Sequence, residues 1–166
     1  ARSQAEREIR HVESVDLVAV TTASIADLLP LADLRRHDIG LAHSDPARIT
    51  TDPDDARTLV DNIVENAIRY TPDGGVIDIA IAVGEDGTTF EVRDTGLGIP
   101  EPQIDRVLEP FYRAADADTE GSGLGLSIVA AIVERCGARL SLQNRVDRSG
   151  LVVSVVFPHR QGVAEE

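Results

Sequence analysis

Apolar residues recur along this chain with two distinct periods. Between residues 53 and 70, Leu59, Val60, Ile63, Val64, Ala67 and Ile68 fall on one arc of a helical wheel, the stripe that an amphipathic helix buries. The start of that helix is well signalled. Asp52 offers a capping side chain, Pro53 sits in the first turn, and Asp54 and Asp55 lie against the positive dipole end. Thr71-Pro72-Asp73-Gly74-Gly75 stops it. A second helical run is expected over 18–36, kinked or split by Pro30, and a third over 124–135.

Elsewhere the period is two. Ile77, Ile79, Ile81 and Val83 share one face of a strand over 76–83, and a turn at Gly84-Glu85-Asp86-Gly87 leads into 88–94, which together read as a β-hairpin. Leu140 and Leu142 point one way while Arg139, Ser141, Gln143 and Arg145 point the other, so 138–145 and then 151–157 read as closing strands. Short strands are expected at 15–17 and 38–43. Strict alternation implies a sheet covered on one side. The fold class is therefore α/β, a two-layer sandwich rather than a doubly wound sheet. Residues 95–122 form a long connection with one short helix near 101–108, and connections of this length are usually lids or binding loops. Residues 1–14 read as a charged linker or the end of an upstream helix, 15–158 as the domain, and 159–166 as a loose tail.

Composition narrows the chemistry. The 166 residues suffice for one domain with a core, and a formal net charge of −13 argues against a nucleic-acid surface. Every side-chain cation among Lys and Arg is arginine, there is no methionine, and the chain reads as a fragment or processed piece. The lone Cys136 forms no internal disulfide and reads as a small core residue. No apolar run is expected to span a membrane.

The candidate chemistry lies in two glycine clusters and one helix face. Gly121, Gly123 and Gly125 alternate directly before an apolar helix. Backbone that can approach closely, followed by a helix N-terminus, describes an anion cradle suited to phosphate. The Walker loop is excluded because the chain has no lysine, and the dinucleotide fingerprint fails because Leu126 stands at its third glycine. A flexible hinge is the alternative. The second cluster, Asp94-Thr95-Gly96-Leu97-Gly98-Ile99, follows a strand. Asp94 shares the face of Phe90 and Val92, so its carboxylate points inward and needs a donor. An adenine amino group is one such donor; the turn over Thr95-Gly96 is the other. On the 53–70 helix, Asn62, Asn66 and Arg69 lie on the polar arc, with Asn66 at its border. An Asn there can offer a neutral oxygen to Mg²⁺.

Taken in order, NIVENAIRYT (62–71), DTGLGI (94–99), EPFYR (109–113) and GSGLGLSIV (121–129) resemble the four motif boxes of bacterial sensor histidine kinases. The resemblance is to their catalytic, ATP-binding domain. It covers residues 15–157 and implies the Bergerat fold, a mixed five-stranded sheet with helices on one face. By resemblance, Asn66 is the Mg²⁺ ligand and Asn62 its neighbour near the phosphates. Arg69 stands where the family usually has Lys, and Tyr70 walls the nucleotide. Asp94 accepts from the adenine amino group, while Gly96, Gly98 and Ile99 line the base. Phe111 anchors the lid, and Arg113 meets the γ-phosphate or an interface. Gly121, Gly123 and Gly125 form the phosphate cradle, with Leu124 and Leu126 at the helix start.

The resemblance further implies an enzyme, a protein histidine kinase that uses ATP and Mg²⁺. ATP-hydrolysing relatives carry a glutamate where this chain has Asn62, so hydrolysis is disfavoured. The partners implied are a phosphoacceptor histidine domain and a response regulator. His11 lacks the phosphoacceptor box and is assigned to a solvated linker. The implied setting is a cytoplasmic domain of a membrane-anchored sensor, monomeric as a fragment and without membrane contact of its own. Asp116, Asp118 and Glu120 make the lid acidic, which keeps a second reading open: a non-catalytic nucleotide-sensing or protein-binding module of the same fold.

Overall fold

In chain order the elements are β1 (Glu13–Asp16), α1 (Leu17–Leu34), β2 (Asp38–Ser44), β3 (Arg48–Thr51), α2 (Pro53–Tyr70), β4 (Val76–Gly84), β5 (Gly87–Asp94), α3 (Gly125–Cys136), β6 (Arg139–Asn144) and β7 (Leu151–Phe157). Two 3₁₀ turns, Glu101–Gln103 and Asp105–Leu108, follow β5. The computed structural model describes residues 11–109 and 125–159.

Five strands make one mixed sheet in the order β2-β4-β5-β7-β6, with β2 parallel to β4 and the other neighbours antiparallel. The register puts Ile79 opposite Val92, and Val92 opposite Val153. These residues and Ile77, Ile81, Phe90 and Val155 line one face and are buried against Leu59, Ile63, Val64, Val129 and Ile132 of the helices. Asp78 and Arg93, on the other face, are exposed. The two-layer sandwich with helices on one face is the expected fold class. Val83 departs from the alternation: it is 44% exposed near the end of β4.

The α2 helix runs over the range expected from its pattern. Asp52 caps it through Oδ1, which accepts from the backbone N–H of Asp54 (2.8 Å) and Asp55 (3.3 Å). Other boundaries differ. The strand expected at 15–17 spans Glu13–Asp16 instead, because Asp16 accepts from Ala19 N–H and starts α1 at Leu17. Pro30 does not split α1. Strand β3 was not anticipated; it pairs antiparallel with β1, Val15 opposite Ile49, and Arg48 donates to the Ser14 hydroxyl at 2.8 Å. Four residues carry too little alternation to stand out. The short helix expected over 101–108 is two 3₁₀ turns. Arg145 lies beyond the end of β6.

The expectation that no apolar run matches a membrane span is also corrected. The 18 residues of α1 have a mean hydropathy of 1.6, long and apolar enough by length and composition to cross a membrane. Here α1 packs on α2, and its buried residues are Leu17, Thr21, Ser24 and Ala32. Ser24 donates to Asp61 at 2.5 Å, and Arg57 pairs with both Asp61 and Asp27. A buried hydroxyl facing a carboxylate needs such a partner, and this network satisfies the polar groups on the inward face of α1.

Candidate functional site

The polar side of α2 presents the predicted Asn62, Asn66, Arg69 and Tyr70, all half-buried. Asn62 Nδ2 donates to Thr58 O, one turn back, at 2.7 Å. Its Oδ1 is left beside the first residue of α3: a Cβ added to Gly125 would lie 3.4 Å from it. The Asn66 carboxamide makes no hydrogen bond with the described residues. Arg69 pairs with Glu65 at 2.7 Å. That pair engages the acid next to Asn66 on α2.

The C-terminus of α2 is held by residues that sequence reasoning missed. Arg35 Nη1 donates to Arg69 O at 3.0 Å, with Ile68 O and Thr71 O at 3.4 Å. Buried His37 donates from Nε2 to Thr71 O at 2.9 Å and Pro72 O at 3.1 Å. Helix C-terminal carbonyls lack intrahelical partners and attract cations. Two basic residues just after α1 are the only sequence trace of this arrangement.

Asp94 ends β5 and is 5% exposed. Its Oδ1 accepts from Gly96 N–H at 2.8 Å and Leu151 N–H at 3.1 Å. The self-turn alternative is therefore realised, but by one oxygen only. Oδ2 accepts no hydrogen bond from the described residues. Burial pushes the Asp94 carboxyl up, while the Gly96 and Leu151 amides and the charges of Arg145 and His37 pull it back. An inward carboxylate with one spare acceptor is suited to an amino-group donor.

The 94–99 segment lies against the end of α2. A Cβ on Gly96 would stand 2.7 Å from Tyr70 O and 3.0 Å from Asp94 Oδ1, so glycine is required for this approach. Thr95 Oγ1 accepts from Val76 N–H at 3.0 Å. Ile99, half-buried, and Gly98 back onto Asn144. Leu126, in the first turn of α3, is buried in the core. Phe111, Arg113, Gly121, Gly123 and Leu124 lie outside the described residues. The structure thus brings together the α2 face, the 94–99 segment and the start of α3.

Nucleotide and metal fit these residues. The open Asp94 oxygen and the glycine floor suit adenine, and Asn66 supplies a neutral oxygen. Among the described residues no group of three His, Cys, Asp or Glu could hold an ion. A bound Mg²⁺ would then take most of its oxygen ligands from phosphate and water.

A one-sidedly covered mixed sheet with this site at its helical layer defines an ATP-binding domain of the Bergerat type. Residues 51–161 match the family described as histidine kinase-, DNA gyrase B-, and HSP90-like ATPase, and the chain belongs to it. It is 30% identical to the swarming motility regulation sensor protein RssA of Serratia marcescens over 95% of this chain and 34% of that protein. The chain therefore spans about a third of that relative's length. Among solved structures it resembles the mycobacterial sensor histidine kinase MprB, with a TM-score of 0.80 and 25% identity over 89% of this chain and 97% of that one. It also resembles the cytoplasmic segment of histidine kinase QseC, with a TM-score of 0.68 and 25% identity over 92% and 82%. In fold and family the chain is an ATP-binding catalytic domain of the sensor histidine kinase type.

Proposed function

We propose that this chain binds Mg-ATP and donates the γ-phosphate to a histidine on a dimerisation domain outside the sequence given. A response regulator aspartate would then receive it. The catalytic unit in this reading begins with β1 at Glu13 and runs through β7. The observation that carries it is the half-satisfied Asp94 carboxylate, set beside the glycine floor at the end of the α2 face that bears Asn66.

Asp94 Oδ2 accepts from the adenine amino group, and Gly96, Gly98, Ile99 and Tyr70 line the base. Asn66 offers its oxygen to Mg²⁺, which neutralises phosphate charge when bound. Asn62, Gly121, Gly123, Leu124, Gly125 and Leu126 frame the phosphates, and Phe111 and Arg113 act from the lid. Phosphoryl transfer depends on positioning and charge more than on covalent help from the protein. The acceptor histidine nitrogen forms the new P–N bond as the bond to the β-phosphate oxygen breaks and ADP leaves.

Kinase is favoured over ATP hydrolase because, among the described residues, α2 offers no acid at the position that activates water in the ATP-hydrolysing relatives. Asn62 occupies that position, and Glu65 is engaged by Arg69. The setting proposed is the cytoplasmic part of a membrane-anchored sensor, with the chain itself monomeric and touching neither membrane nor nucleic acid. The test is calorimetric titration with a non-hydrolysable ATP analogue, with and without Mg²⁺. Mg²⁺-enhanced binding that Asn66→Ala reduces is expected. Absence of binding in both conditions would favour the protein-binding module. Labelled γ-phosphate appearing on this chain alone would refute transfer to an outside histidine.

A further inference from the structure

Strand pairing between β5 and β7 ends at Arg93 opposite Val152. One residue further the ladder changes partner: Leu151 N–H bonds the Asp94 carboxylate instead of a backbone carbonyl. From there the 144–151 turn makes a series of bonds to 94–99, none of which the four motifs include. Asn144 is the last paired residue of β6, opposite Leu151. Its Oδ1 accepts from Ile99 N–H at 2.8 Å, and its Nδ2 donates to Ile99 O at 2.6 Å. Arg145 Nη1 donates to Asp94 O at 3.2 Å, and Ser149 Oγ donates to Gly96 O at 2.6 Å.

The turn is itself braced. Arg145 N–H donates to Gly150 O at 2.9 Å, and its guanidinium grips Asp147 through Nε (3.0 Å) and Nη2 (2.8 Å). That grip lowers Asp147 to about 2. Gly150 sits at φ +147°, where an added Cβ would collide with Asp94 O. Only a side chain with donor and acceptor side by side can satisfy both backbone groups of one residue as Asn144 does. Every bond from the turn to the 94–99 segment ends on Asp94, Gly96 or Ile99, three of the residues proposed to line the base.

The geometry points to Asn144, Ser149 and Arg145 as positioning residues that set base selectivity: they hold the 94–99 segment so that Asp94 Oδ2 meets an amino group rather than a carbonyl. This rests on the ATP reading above. A rigid segment discriminates an adenine amino group from a guanine carbonyl because the wrong base leaves a buried acceptor unpaired. A loosened segment can shift to relieve that mismatch.

The experiment measures ATP and GTP affinities of the 166-residue chain and of Asn144→Asp, Ser149→Ala and the exposed control Val146→Ser, with thermal unfolding of each. Asn144→Asp keeps the acceptor for Ile99 N–H and loses the donor to Ile99 O. Its ATP affinity should fall about tenfold and its ATP-over-GTP preference about fivefold, from loss of one well-formed bond and repulsion between the new carboxylate oxygen and Ile99 O. Ser149→Ala, a surface change that leaves the fold intact, should reduce the preference about twofold to threefold. Val146→Ser should change neither. If the parent chain prefers ATP and both variants keep that preference, the inference is overturned and the site reading stands. If the parent chain shows no preference for ATP, the site reading fails and takes the inference with it. If Asn144→Asp does not fold, Ser149→Ala alone decides.

Discussion

In the proposed ATP reading, the base end and the phosphate end of this site are built in opposite ways. At the base end, the 94–99 segment is bonded to β4 and to the 144–151 turn and lies against the end of α2, and only one oxygen of Asp94 is left open. At the phosphate end, Asn66 makes no hydrogen bond with the described residues, and Asn62 is satisfied on one atom only. The first end is organised before ligand arrives; the second keeps polar atoms available for ion and phosphate. The difference follows from what each must recognise. A planar base is discriminated by fixed donors and acceptors, whereas a hydrated ion with phosphates supplies most of its own ligands.

The largest expected effect comes from breaking the base end. Asp94→Asn places an amide donor where the adenine amino group donates, and ATP affinity should fall about 100-fold in calorimetry, from losing a hydrogen bond to a charged group and adding a clash of donors. The same variant sharpens the comparison in the absence of nucleotide. Burial raises the Asp94 carboxyl above its unfolded value, so the folded chain binds this proton more readily than the unfolded one. The ionised carboxylate therefore costs stability above its raised folded value, and the cost fades as pH falls through that value toward the unfolded one near ~3.9. Asp94→Asn should unfold at a higher temperature than the parent at neutral pH, with the gap closing in acid.

Next is the support for that end. Gly150→Ala combines left-handed backbone with a collision at Asp94 O, and chemical denaturation should show a loss of about 2 kcal/mol. At the phosphate end, Asn66→Ala should lower ATP affinity about tenfold with Mg²⁺ and little without it, since it removes one charge-linked ligand. An equal loss in both conditions would break the contrast between the two ends. The smallest effect is expected away from both. Ser24→Ala leaves Asp61 with Arg57, so stability should drop by about 1 kcal/mol with ATP affinity unchanged.

How much of this was legible varies from helix to helix. The α2 pattern separates apolar from polar residues sharply, so its boundaries and its inward face followed from Leu59, Ile63 and Asp52. The α1 pattern does not: leucine and alanine surround it, and the face it buries carries Thr21 and Ser24 while Leu29 and Leu34 stay 41% and 81% exposed. Packing of Leu17, Ile25 and Leu28 on the core, together with Asp61 and Arg57 across the interface, fixes that orientation. Asp94 was legible as inward-facing from its phase with Phe90 and Val92. Its turn with Gly96 was legible too; that the same oxygen also serves Leu151 was not, because Leu151 is 57 residues away.

What the chain determined by itself is whatever repeats locally: the alternation that puts Ile77, Val92 and Val153 on one face, the capped amphipathic α2, and the ordered motifs. These depend on periods and caps within a few residues, where backbone geometry is the same in every fold. What only the tertiary structure decided is which polar groups meet across the sheet. Asn144 with Ile99, Ser149 with Gly96, and His37 with the end of α2 are pairs of ordinary polar residues far apart in the chain. Nothing in either partner announces the other. Each becomes a specific bond because the sheet order and the β6–β7 register bring two incompletely paired backbone segments within reach, where a buried polar group must find a partner.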